Sequence, residues 1–192
     1  MKIQIYRLLE RTKMAGPGWR FCIWVQGCSR RCEGCVARET WPHNGGTEMR
    51  TGDLFHQISS VPDIEGITFL GGEPFEQPGA VAALAKQAQA AGLSVVAFTG
   101  FTYEELLVMN HPHVLQLLNA TDLLIDGPFI QAQFDLNRPW VGSANQRYRF
   151  LTDRYQESDL AGITNQIEVR IAPNGKTLVN GMGDFAEIQK LL

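Results

Sequence analysis

Arg20-Phe21-Cys22-Ile23-Trp24-Val25-Gln26-Gly27 runs directly into Cys28-Ser29-Arg30-Arg31-Cys32-Glu33-Gly34-Cys35. The first half is a near-continuous apolar run, the pattern of a strand buried on both faces, and Gln26-Gly27 ends it. The second half is a C-x3-C-x2-C triplet placed just past that strand. All four cysteines of the chain (Cys22, Cys28, Cys32, Cys35) fall in this stretch. A disulfide framework would spread its cysteines to staple distant loops. Thiols crowded on one short loop read instead as ligands of a soft metal or cluster.

The ligand count divides the possibilities. With Cys22 the site has four thiolates, which suits structural zinc or a closed electron-transfer cluster in a binding module. Without it, three thiolates hold an iron–sulfur cluster whose fourth iron is open. A strand rising ~3.3 Å per residue carries Cys22 well away from the loop. We therefore expect Cys22 as a small core residue and Cys28, Cys32 and Cys35 as the metal ligands.

The same punctuation recurs downstream. Strand-like runs at Gly66–Leu70, Leu93–Phe98 and Asp122–Ile125 end in Gly71-Gly72-Glu73-Pro74, Thr99-Gly100 and Asp126-Gly127-Pro128. Between them Gly79–Ala91 reads as a helix stopped by Gly92, and Thr102 with Glu105 forms a capping box. A later pair, Gln166–Ala172 and Lys176–Asn180 around Pro173-Asn174-Gly175, reads as a hairpin, followed by a terminal helix over Phe185–Leu192. Strand–helix alternation argues for parallel strands with covering helices. The units are too few for an eightfold barrel of ~250 residues. A partial (βα) barrel or an open doubly wound sheet remains. We expect the partial barrel of largely parallel strands, an α/β fold with a C-terminal β-hairpin extension. One domain over 1–192 is expected, its core at about 15–155. In such folds ligands sit at the carboxyl ends of the strands, so the four strand-end loops imply one shared site.

Composition bounds the function. The 192 residues are 44% hydrophobic and 19% charged with a net charge of −3, a globular profile rather than a disordered one. That charge balance disfavours a nucleic-acid binder, and no apolar run is long enough to span a membrane. The amino-terminal stretch Met1–Arg7 lacks the apolar core of a secretory signal, which points to the cytoplasm. None of His43, His56, His111 or His113 fits a site.

Cys28-x3-Cys32-x2-Cys35 followed by Gly71-Gly72-Glu73-Pro74 resembles the radical S-adenosylmethionine (SAM) superfamily. Gly16-Pro17-Gly18-Trp19-Arg20, Val96-Ala97-Phe98-Thr99-Gly100-Phe101, Leu124-Ile125-Asp126-Gly127-Pro128-Phe129 and Gly142-Ser143-Ala144-Asn145-Gln146 bring the likeness closer to the activating proteins of anaerobic ribonucleotide reductase. The resemblance implies a [4Fe–4S] cluster on the three cysteines and SAM chelating the open iron. Reductive cleavage would give a 5′-deoxyadenosyl radical that takes a hydrogen atom from a glycine of the reductase, with no protein acid or base. It further implies that Gly71, Gly72 and Glu73 receive the methionyl ammonium, that Thr99 and Asp126 meet the ribose or methionyl portion, and that Gly34 and Val36 contact adenine. Pro128 stands where some activators carry Lys. A compact enzyme resembling 7-carboxy-7-deazaguanine synthase, acting on a small molecule or peptide, is the alternative within the superfamily. Arg30, Arg31 and Arg38, with Arg20 nearby, suggest a basic patch that steers flavodoxin or ferredoxin to the cluster.

Overall fold

The computed structural model describes residues 1–183, so the helix expected over 185–192 lies outside the described residues. Four parallel strands form the middle of one sheet: β2 (Arg20–Val25), β4 (Gly66–Gly71), β5 (Ser94–Phe98) and β6 (Leu123–Asp126). Each begins and ends within a residue of the sequence reading. Three further strands make the sheet mixed: β1 (Lys2–Thr12) pairs antiparallel with β2, β3 (Thr47–Arg50) with β1, and β7 (Arg147–Phe150) with β6. The order is β3-β1-β2-β4-β5-β6-β7, and β8 (Ile167–Ile171) and β9 (Thr177–Gly181) form the separate hairpin.

Alternation along the strands sorts the two faces of the sheet. Phe21, Ile23 and Val25, with Ile67, Phe69, Val95, Ala97 and Leu124, point to one face, where α1 (Thr51–Ser60), α2 (Pro78–Ala90) and α4 (Pro112–Asn119) cover them. The inner side of α2 carries Ala80, Val81, Leu84, Ala85 and Ala88, and these small side chains let the helix lie close to the sheet. The short α3 (Tyr103–Val108) is closed by the expected capping box of Thr102 and Glu105. On the second face Val96, Leu123 and Ile125 pack with Trp140, Val141 and Leu160, while Leu9, Ala15, Cys22 and Trp24 form a smaller cluster that Leu178 of the hairpin joins. Among the described residues no helix is long and apolar enough to cross a membrane.

Candidate cluster-binding site

The cysteine loop lies across the ends of all four parallel strands. It leaves β2 at Gly27, whose N–H donates to the Thr40 carbonyl at 2.7 Å, and the Cys28 N–H donates to Trp41 at 3.1 Å. The returning chain, residues 38–42, thus braces the loop's first residues. The loop curls through Arg31 and Gly34, both with positive φ (46° and 76°). Burial pushes the Cys28 thiol up, and the nearby backbone N–H groups of Arg30 and Arg31 oppose the shift by favouring the thiolate.

Each neighbouring strand end holds the loop by a different contact. Past β4, Glu76 Oε1 accepts from the Ser29 N–H at 2.8 Å and from the Ser29 hydroxyl at 2.5 Å, while Glu76 Oε2 meets His43 Nε2 at 2.7 Å. Past β5, the Arg30 guanidinium stacks 4.6 Å from the Phe101 ring centre and lies 3.7 Å from Glu105. Past β6, Gly34 sits so close to Gln131 and Phe129 that a Cβ there would come within 2.7 Å of the Gln131 amide oxygen. Positive φ and this close approach account for glycine at position 34, where a larger residue has no room.

The Gly71-Gly72-Glu73 turn is locked to the same strand. The Gly72 N–H donates to Val25 at 2.9 Å and the Glu73 N–H to Gly27 at 2.8 Å. A Cβ on Gly72 would collide with the Gly27 carbonyl oxygen, so backbone meets backbone here. The Glu73 carboxylate is buried and accepts from the Phe75 N–H (3.0 Å), the Thr99 hydroxyl (2.8 Å) and the Gly100 N–H (2.8 Å). Burial raises its pKa to about 7, the three donors only partly offsetting the desolvation.

Polar residues at the strand ends are engaged within the chain itself. Thr99 spends its hydroxyl on Glu73 and on the Phe101 N–H, and Asp126 is buried, accepting from the Tyr103 N–H at 2.7 Å and pairing with Arg149 at 3.3 Å. Both tie strand ends together. Arg20 does not belong to a basic surface patch: it is fully buried, bonded to Thr68, Ser94, Pro17, Ile67 and Tyr155 on β2's far end. Arg30 is a strut, not a free cation. His43, for which the sequence suggests no site, braces the loop through Glu76; neither residue stands in a recognisable motif, so only the chain's return past Cys28 brings them in. Val36 is 70% exposed beside the loop. Asn145 donates to the Pro128 carbonyl at 2.8 Å and Gln146 to that of Gly127 at 3.3 Å, supporting the loop after β6.

The donor set fits an iron–sulfur cube. Cys28, Cys32 and Cys35 are free and partly accessible on one loop. Among the described residues no three Cys, His, Asp or Glu groups gather round a single-ion position. A cube takes one thiolate per iron and needs no such convergence. Cys22 is fully buried among Leu9, Ala15 and Trp24, on β2 well before the loop, and burial pushes its thiol up to about 12.

These features define an iron–sulfur protein, and residues 14–149 match the family model described as a 4Fe-4S single cluster domain. The chain belongs to the family of anaerobic ribonucleoside-triphosphate reductase-activating proteins. It is 30% identical over 140 residues to that of Escherichia coli (strain K12), covering 68% of this chain and 88% of the relative. Against that of Enterobacteria phage T4 it is 30% identical over 151 residues, covering 75% and 92%. The Vibrio cholerae protein is 31% identical over 139 residues, covering 68% and 87%. Among solved structures, QueE from Escherichia coli aligns with a TM-score of 0.45 and 20% identity, over 53% of this chain and 54% of that one.

Proposed function

We propose that the protein is a radical SAM activase that reductively cleaves S-adenosylmethionine and places a glycyl radical in an anaerobic ribonucleotide reductase. The observation that carries this is the loop of three accessible thiols, with the fourth cysteine sequestered in the core. Cys28, Cys32 and Cys35 would hold three irons of a [4Fe–4S] cluster. When bound, the cluster supplies one electron to the SAM sulfonium, whose C–S bond then breaks to methionine and a hydrogen-abstracting 5′-deoxyadenosyl radical.

The chain's own residues position and shield. The carbonyls of Gly71 and Gly72 would receive the ammonium, and the buried Glu73 carboxylate, which holds that turn against Gly100, would add negative potential beside it. Gly34 keeps the loop close to the β6 end, leaving the exposed Val36 to lie against adenine. Thr99 and Asp126 act one step back, fixing the strand ends that frame the nucleotide. The four central parallel strands, with the site at their carboxyl ends, serve as a partial barrel. Residues 1–192 work as one domain in the cytoplasm.

A flavodoxin or ferredoxin serves as electron donor. Arg31 and Arg38, the exposed part of the basic patch, would meet its acidic surface. Arg31→Glu with Arg38→Glu should then slow flavodoxin-driven turnover and flatten its salt dependence, while dithionite-driven turnover stays at the wild-type rate.

Anaerobic reconstitution tests the whole reading. Reduced protein with SAM and the reductase should give a glycyl doublet by electron paramagnetic resonance and stoichiometric 5′-deoxyadenosine. Cys22→Ser should retain its iron, and Cys28→Ser, Cys32→Ser or Cys35→Ser should lose the SAM-responsive cluster signal. A zinc-only protein, or iron loss on Cys22→Ser, would overturn it.

A further inference from the structure

β1 and the residue just past it carry cations that nothing described in the chain neutralises. The Arg7 guanidinium lies 3.9 Å over the Trp24 ring, and that of Arg11 lies 4.2 Å over Trp19, with Lys13 Nζ 4.8 Å from the same ring. Among the described residues none of the three forms an ion pair, and the Nε of both arginines is buried without an acceptor. Neighbouring acids are otherwise engaged. Glu168 of the hairpin accepts from Thr12 at 2.9 Å and from Arg170 at 3.0 Å, and Glu10 faces Gln57. A half-buried guanidinium without an anion is costly, and a tryptophan beneath it replaces only part of the lost hydration. The chain as a whole has a net charge of −3, so three neighbouring cations with no ion pair among the described residues are a local departure from its surface.

The position of the strip separates it from the cofactor. The cysteine loop leans on Glu76, Phe101 and Gln131, toward β4, β5 and β6. β1 lies on the other side of β2, with Arg7 opposite Trp24 in register and Trp24 packed against Gly71. Arg7 therefore lies near the carboxyl end of β2, on the side of that strand away from β4.

We propose that Arg7, Arg11 and Lys13 form a docking strip for an acidic segment of the protein substrate, running from the amino end of β2, where Arg11 and Lys13 lie over Trp19, to Arg7 beside Trp24 near the carboxyl end of β2. This rests on the activase reading. Aromatic backing sets each guanidinium's plane, which favours in-plane, bidentate capture of carboxylates over diffuse attraction.

The test replaces the cations with methionine, which keeps an apolar stem over the rings: Arg7→Met, Arg11→Met and Lys13→Met, singly and together. Binding of the anaerobic reductase to the reconstituted protein is measured by calorimetry at low and high salt, with glycyl radical yield read in parallel. The triple variant should bind about tenfold more weakly at low salt, and its affinity should depend less on salt than the wild type's. Radical yield should recover at saturating reductase. Wild-type affinity and salt slope in the triple variant would overturn the strip. Weakened SAM binding in the absence of reductase would assign Arg7 to the cofactor and also overturn it. If removing residues 184–192 tightened reductase binding only while the three cations were present, the strip would belong to the chain's own end, and the proposal would fall. A wild-type protein that neither binds nor activates the reductase would overturn the activase reading and the strip together, whereas reductase binding and activation unchanged by the triple substitution overturn the strip alone.

Discussion

Glu73 is held neutral or charged by a narrow balance. Its folded pKa, about 7, lies above the ordinary carboxylate value because burial outweighs three donors. A carboxylate raised in this way gives stability that is fully present below its unfolded pKa and is lost as pH rises through 7. The cofactor-free protein should therefore lose up to roughly 3 kcal/mol from this group between about pH 4.5 and 8. Glu73→Gln should remove that slope yet be less stable at about pH 5, since an amide nitrogen cannot accept from the Gly100 N–H; denaturant melts across the pH range check both. Gly72→Ala is a sharper case. Its Cβ would meet the backbone oxygen of Gly27, which cannot rotate away, so β4 must part from β2. We expect a loss of about 3 kcal/mol or more and failure to reconstitute the cluster, read by melting and by iron content.

At the scale of elements, the loop is positioned by the residues just past the end of each strand. Glu76, on the single turn after the Gly-Gly-Glu-Pro sequence, joins Ser29 to His43 and so couples the start of the cysteine loop to the returning chain. Glu76→Ala should leave the fold intact, lower iron per chain after reconstitution and speed cluster loss to a chelator severalfold. Glu76→Gln, which still accepts from Ser29 through its amide oxygen, should fall between. The sequence pattern identifies elements where packing is symmetrical. β2, β4, β5 and β6 are apolar on both faces, and the capping box at Thr102 is local chemistry. It misses β1, β3 and β7, since a strand with Arg7 and Arg11 stacked over tryptophans and Leu8 turned to the opposite face does not alternate cleanly. Helices α1 and α4 escape it for a related reason: they are short, and His, Gln and Ser interrupt their apolar positions.

For the whole molecule, the hairpin lies beyond the matched family residues 14–149. It bonds β1 through Thr12 with Glu168 and Asn180, and Leu178 closes the cluster of Leu9, Ala15, Cys22 and Trp24. Ending the chain at residue 165 should expose that cluster, lower the melting temperature by several degrees and make Cys22 reactive toward a thiol reagent, while Cys28, Cys32 and Cys35 still take up iron. Unchanged melting and a protected Cys22 would show that the hairpin contributes nothing to the second face.

The cysteine spacing and the apolar runs before each glycine turn by themselves specify a metal-bearing loop on an α/β sheet with a parallel centre. Those signals are local: strand burial is written into consecutive residues, and the spacing alone puts three thiols on one short loop. Tertiary structure alone decided which polar residues near the site are free. Thr99, Asp126, Arg20 and Arg30 are consumed by partners far along the chain, His43 and Glu76 are recruited from outside any motif, and Arg7 is left without an anion among the described residues. The division has one physical cause. A side chain's chemistry belongs to its residue, but whether its lone pairs and charge are already matched depends on neighbours that only folding supplies.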